Sequence, residues 1–139
     1  MPGVLPQWPA GTVTILSTSG EEPHAIPVSA ALRAGPDRVL IALAAGRESL
    51  ARVRADPRVA IAILADGDIA LTAYGRAHVI DGDFVEGVVA VEIEVERVQD
   101  HDRPTFVIET GVRWRWTDPG ARARDTRVRA ALERLAGLA

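Results

Sequence analysis

Gly11-Thr12-Val13-Thr14-Ile15-Leu16-Ser17-Thr18, then Ser19-Gly20-Glu21-Glu22, then Pro23-His24-Ala25-Ile26-Pro27-Val28-Ser29 is the stretch that decides the fold. Polar and apolar residues alternate from Thr12 to Ile15, the period of a half-buried strand. Ser19-Gly20 and the acidic pair after it supply a hairpin turn. Residues 24–32 then read as one returning partner strand. Proline has no N–H for the ladder, which puts Pro23 at a strand start and Pro27 at an edge or a bulge.

Working outward, Ala34-Gly35-Pro36-Asp37 is the next turn, and Val39-Leu40-Ile41-Ala42-Leu43 is a continuous apolar run, as expected of a strand covered on both faces. Gly46 ends it. Residues 47–55 carry Leu50, Ala51 and Val53 between arginines and stop at Asp56-Pro57, so a helix of about two turns is expected. Residues 58–64 form a second buried strand, and Ala65-Asp66-Gly67-Asp68 turns into a long strand over 69–80. Gly75 in its middle marks a bulge or a close backbone approach. After an Asp81-Gly82-Asp83 hairpin, Val89, Val91, Ile93 and Val95 alternate with Glu92, Glu94 and Glu96, one face for the core and one for water. One or two last strands are expected over 105–109 and 112–117. Asp125 or Thr126 is the expected cap of a final helix running to Ala136, with Val128, Ala131, Leu132 and Leu135 as its apolar stripe.

Short strands joined mostly by hairpins imply an antiparallel sheet that curls to hide its edges. The expected class is therefore mainly β: a barrel of six to seven antiparallel strands, with a short internal helix and a C-terminal one. At 139 residues the chain suits a single domain spanning 1–139.

Composition narrows the function. Hydrophobic residues make up 47% and charged residues 25%, the balance of a globular protein, and a formal charge of −3 gives no general attraction to nucleic acid or acidic membranes. There is no cysteine, which excludes disulfides and thiolate chemistry. All 16 basic residues are arginine. A lysine Schiff base and the lysine of a Walker loop are thereby ruled out, and a bound phosphate must be held by arginine, hydroxyls and backbone N–H groups. The first residues lack the pattern of a secretory signal and no apolar run approaches the roughly 20 residues that span a bilayer, so a cytoplasmic protein without membrane partners is expected. His24, His78 and His101 are scattered without ligand spacing, and no metal site is expected.

The expected helix after Gly46 offers backbone donors and the positive end of its dipole. Arg47 can clamp an anion, Ser49 can donate a hydroxyl, and Arg52 lies one turn on. Glu48 competes for the same donors. The plainer reading is a serine and a few arginines on a solvent-facing helix. Around Pro27, Val28 and Ser29, small neighbours let a flat ring approach the backbone; the plainer reading is an edge strand with a bulge. Arg113-Trp114-Arg115-Trp116 puts both tryptophans on one face, for stacking on a ring or, the better fit, for burial at an interface. Arg122, Arg124, Arg127 and Arg129 form a basic patch that suits RNA or a cofactor's phosphate or, the better fit beside Asp118 and Asp125, a solvated surface.

Together, Gly11 to Thr18, Pro23-His24-Ala25-Ile26-Pro27-Val28, Ser49 ahead of Arg54-Ala55-Asp56-Pro57-Arg58-Val59-Ala60, and Tyr74-Gly75-Arg76-Ala77 resemble the flavin-binding split-barrel family, which includes pyridoxamine phosphate oxidase and the flavin/deazaflavin oxidoreductases. The resemblance implies an FMN-dependent oxidoreductase acting on a small molecule, with deazaflavin as the alternative cofactor. It also implies a homodimer with its cofactor sites at the interface. The strand with Pro27, Val28 and Ser29 would line the ring and the strand with Ala42 and Leu43 would run beside the ribityl chain. Arg47, Ser49 and Arg52 would take the phosphate. No side chain is assigned a catalytic role. Two further readings stay open: a non-catalytic protein that binds or stores flavin, deazaflavin or heme, and a structural dimer whose pocket has decayed.

Overall fold

The computed structural model describes residues 4–82 and 84–137, so Asp83 of the expected hairpin lies outside the described residues. In chain order the elements are β1 (Thr14–Thr18), β2 (His24–Val28), β3 (Ala31–Gly35), β4 (Arg38–Ala44), α1 (Glu48–Ala55), β5 (Arg58–Ala65), β6 (Ile69–Val79), β7 (Val88–Asp100) and α2 (Pro119–Leu135). All seven strands join one antiparallel sheet in the order β2-β1-β5-β6-β7-β4-β3.

That order dictates curvature. The two edge strands, β2 and β3, are consecutive in the chain and only Ser29 and Ala30 link them. A link of that length spans at most about 11 Å. The sheet must therefore bend until its first and last strands lie side by side, giving a curled half-barrel with a split along β2 and β3. The backbone N–H of Ala42 on β4 donates to the carbonyl of Ala30 at 3.2 Å, which carries the β3 to β4 pairing into the link. The expected single strand over 24–32 is thus two strands: its first half pairs with β1 and its second half with β4. Local pattern is the same on both sides of Ser29, so only the closure of the sheet reveals the break.

Side chains follow the period of two. Leu16, Val39, Ile41, Ile61, Ile63, Ala73, Val91 and Ile93 point inward and expose no surface, whereas Ile15, beside Leu16, is 41% exposed. Leu50 and Val53 of α1 join this core. Leu40 faces the other way and is buried with Ala90 beneath Val128 and Leu132 of α2, which explains why β4 is apolar on both faces. The β7 glutamates lie on the outer face, where Glu92 accepts from Arg38 Nε at 2.6 Å and Glu94 and Glu96 lie near His78 and Arg76. The ladder between β6 and β7 slips between Tyr74 and Gly75, leaving Glu96 as the extra residue. A side chain at Gly75 would fall on the Glu94 carbonyl, so the expected bulge and the expected close approach are one feature.

Two expectations for the C-terminal third are corrected. Residues 105–109 and 112–117 form no strand but an extended strap, tied to the sheet by one isolated bridge between Thr12 and Arg113 and by the Val13 N–H to the Val112 carbonyl at 2.7 Å. The strap pairs only ahead of β1, at Thr12 and Val13, because β1 itself already has β2 on one side and β5 on the other. The final helix has its cap about two turns earlier than expected. Asp118 is the N-cap, its Oδ2 accepting the Ala121 N–H at 2.8 Å, and Pro119 opens the helix. Asp125 and Thr126 lie inside it, Asp125 paired with Arg129 and Thr126 bonded to the Arg122 carbonyl. Among the described residues no helix is long and apolar enough to cross a membrane.

Candidate functional site

The split in the barrel opens into a cavity of about 400 Å³. Pro27 and Val28 of β2 and the linking Ser29 form one wall, Ala42 and Leu43 of β4 another, and Arg47, the residue before α1, stands at its edge. Six of the eight residues singled out from the sequence therefore meet in one place. The strap and α2 complete the enclosure with Trp114, Trp116, Ala121, Arg124 and Asp125. The floor is made of the small side chains of Ala30 and Ala42, whose backbones are hydrogen-bonded at 3.2 Å.

Two features suit the cavity to a flat anionic guest. The Trp114 and Trp116 rings lie 5.9 Å apart, edge to face, and are 43% and 38% exposed, leaving apolar ring surface open. Arg47 and Arg124 have no hydrogen-bond or ion-pair partner for their guanidinium groups among the described residues. Asp125 is the one carboxylate lining the cavity, and Arg129 Nε holds it at 2.8 Å. Arg129 also donates to the Ser29 carbonyl at 3.3 Å, tying α2 to the link between β2 and β3. The cavity is thus electropositive.

Ser49 and Arg52 do not line it. Ser49 is 1% exposed, with its Oγ 3.1 Å from His24 Nε2. Arg52 donates from Nε to Glu48 at 2.7 Å and from its other nitrogens to the carboxylate and carbonyl of Glu22, both at 3.2 Å. Glu48 also lies 3.2 Å from His24 Nδ1. This network joins α1 to the turn between β1 and β2. The Arg52 hydrogen bond is the main reason the Glu48 carboxyl sits below its ordinary 4.5. An acid, a histidine and a serine in this order resemble a hydrolase relay, but a serine with so little exposed surface presents no nucleophile to a substrate.

Sequence reasoning weighed the tryptophans against a ring and the arginine patch that holds Arg124 against a phosphate, but favoured an interface for the first and a solvated surface for the second. The alternation of 113–116 was the available signal for the tryptophans. Arg124 was hidden by the displaced helix start, which alters the face each arginine occupies.

No protein-family model and no curated protein matches the chain. Solved structures do. A pyridoxamine 5'-phosphate oxidase-like protein from Listeria innocua superposes with a TM-score of 0.55 at 17% identity, covering 66% of this chain and 90% of that one. An FAD-binding protein from Mesorhizobium loti gives 0.54 at 16% identity, covering 64% and 84%. A heme binding protein from Mycobacterium smegmatis gives 0.52 at 21% identity, covering 64% of this chain and 48% of that one. The fold is the split barrel of the pyridoxamine 5'-phosphate oxidase-like proteins. Within this split barrel the cavity lies at the split itself, where the sheet's two edges meet.

Proposed function

We propose that this split barrel binds a flavin-type cofactor, FMN, in the cavity at the split and serves as a flavin-dependent oxidoreductase. The observation that carries the reading is one cavity with a small-residue floor, two open indole surfaces and two unpartnered guanidinium groups. At about 400 Å³ it falls within the roughly 300–1,000 Å³ of small-molecule sites. Pro27, Val28 and Ser29 hold the ring by backbone contact, Ala42 and Leu43 flank the chain that leads from it, and Arg47 meets the phosphate. Deazaflavin has a similar tricyclic ring and phosphate tail and is the alternative on the same residues.

A bound flavin supplies the hydride chemistry. The chain's own work is to orient the ring against the β2 edge, neutralise the tail and keep water away with the tryptophans. A second copy covering the exposed indoles, together with Val112 and Phe106, makes the homodimer part of the reading.

Heme is the weaker guest. Among the residues lining the cavity there is no histidine, cysteine, methionine or tyrosine to serve as an axial ligand.

The test is a titration of the purified protein with FMN, following tryptophan and flavin fluorescence together. Saturable quenching of both is expected, and reduction of the loaded protein by a nicotinamide donor separates an oxidoreductase from a carrier. A folded protein that alters neither signal refutes the assignment.

A further inference from the structure

We infer that Arg124 of the C-terminal helix works with Arg47 as a two-armed clamp for the ligand's terminal phosphate, so that α2 of the same chain is part of the binding site. The inference rests on the flavin reading above and deepens it by naming what reads the tail.

Besides the C-terminal arginine patch, read above as the weaker candidate, the sequence offers Arg47, Ser49 and Arg52 for this task, and the structure disposes of them unequally. Arg52 has its donors on Glu48 and Glu22, and the Ser49 hydroxyl lies against His24. Neither lines the cavity. Arg47 does, and the other unpartnered cation lining it is Arg124. The two approach from different elements: Arg47 stands at the end of the β4 to α1 connection, and Arg124 lies in the second turn of α2.

α2 is fixed where Arg124 is useful. Val128 and Leu132 are buried against Leu40, and Arg129 bonds both Asp125 and the Ser29 carbonyl. With Asp125 held by Arg129, no free carboxylate in the cavity competes with the guest. A phosphate monoester has three terminal oxygens and a charge near −2, enough to accept from two guanidinium groups at once. A neutral ring without that tail lacks the double negative charge that two guanidinium groups would share.

The experiment compares FMN with riboflavin, which has the same ring and no phosphate, on the full chain and on Arg124→Ala. Arg124 is exposed and alanine is a strong helix former, so the variant keeps its fold, checked by far-UV circular dichroism. Arg127→Ala, one turn further along α2 and outside the cavity, is the control. We expect Arg124→Ala to weaken FMN by about 10- to 100-fold, the span of a charge-assisted hydrogen bond, and to leave riboflavin within about twofold. Arg127→Ala changes neither.

Unchanged FMN affinity in Arg124→Ala overturns the clamp, as does equal loss of both ligands, which would make Arg124 a contact to the ring. Wild-type protein that binds riboflavin as tightly as FMN also overturns it while the ring site stands. Binding of neither ligand overturns the clamp and the flavin reading together.

Discussion

The carboxylate of Asp66 accepts the backbone N–H of Gly111 at 2.6 Å, and its second oxygen takes the Arg113 guanidinium at 3.0 Å. The turn between β5 and β6 thereby fastens the strap that carries Trp114 and Trp116. Asp68, two residues on, accepts the Ile108 N–H at 2.7 Å. Gly111 is needed because a Cβ there would come within 2.7 Å of the Leu64 carbonyl. Asp66→Ala removes the anchor without touching the core. We expect a red shift in tryptophan emission and faster proteolysis within residues 101–118, with the β signal in circular dichroism retained. Unchanged emission and cleavage would mean that Asp68 and the Thr12 bridge hold the strap by themselves.

The same contact gives a pH dependence. Gly111's N–H, and after it Arg113, hold the Asp66 carboxyl below its ordinary 3.8. A carboxyl depressed in the folded state contributes stability that is present above its unfolded value and is lost as pH falls through the folded one. Tryptophan emission should therefore hold steady from neutral pH to about pH 4 and change below it. Asp66→Asn should lose that acid step. Asp56, which Arg58 draws down to about 2, lies at the far end of β5 from Asp66, so the two events are separable. An acid transition of the same size and midpoint in Asp66→Asn would assign it elsewhere.

Two glycines make a paired test of what a methyl group displaces. At Gly75 it meets the backbone of Glu94, which cannot move without breaking the β6 to β7 ladder. At Gly20 it meets the end of the Arg52 side chain at 2.8 Å, which can swing away. Gly75→Ala should cost at least about 1–3 kcal/mol, the range for overpacking, and Gly20→Ala less than about 1 kcal/mol, the worth of the displaced ion pair. Urea denaturation of both variants measures the difference. Equal costs would show that the bulge relaxes as easily as an arginine side chain.

Where the sequence was legible, one residue's surroundings could be read from its near neighbours. The alternation of Val89 to Val95 and the double-sided burial around Leu40 follow from pattern alone. Gly75 announced its bulge because no other residue tolerates that approach. What escaped was set by closure: the break at Ser29 exists because the first and last strands must meet. The strap over 112–117 has strand-like alternation, yet β1, the strand it runs up to, already has β2 and β5 as neighbours. The cavity was legible on its β2 and β4 walls and illegible on its α2 wall. Asp118-Pro119, a capping carboxylate followed by a proline suited to the first helical position, was the cue for that helix start.

Arg52 decides between a phosphate contact and a structural tie. Its side chain is 16% exposed and bonds residues from two elements, Glu48 on α1 and Glu22 in the turn after β1, while Glu48 in turn lies against His24. Removing the guanidinium leaves both carboxylates without their main partner, while His24, against Ser49 and Glu48, still ties α1 to the hairpin. Glu22 and Glu48 are mostly exposed and rehydrate easily, so the cost should be modest, about 1–2 kcal/mol for Arg52→Ala in urea. The cavity does not include Arg52, so FMN affinity should stay within about twofold of wild type, in contrast to Arg47→Ala, which should weaken it about tenfold or more. A tenfold loss of FMN in Arg52→Ala with stability unaltered would reverse the assignment, because it would mean that the guest draws Arg52 away from Glu48 when it binds.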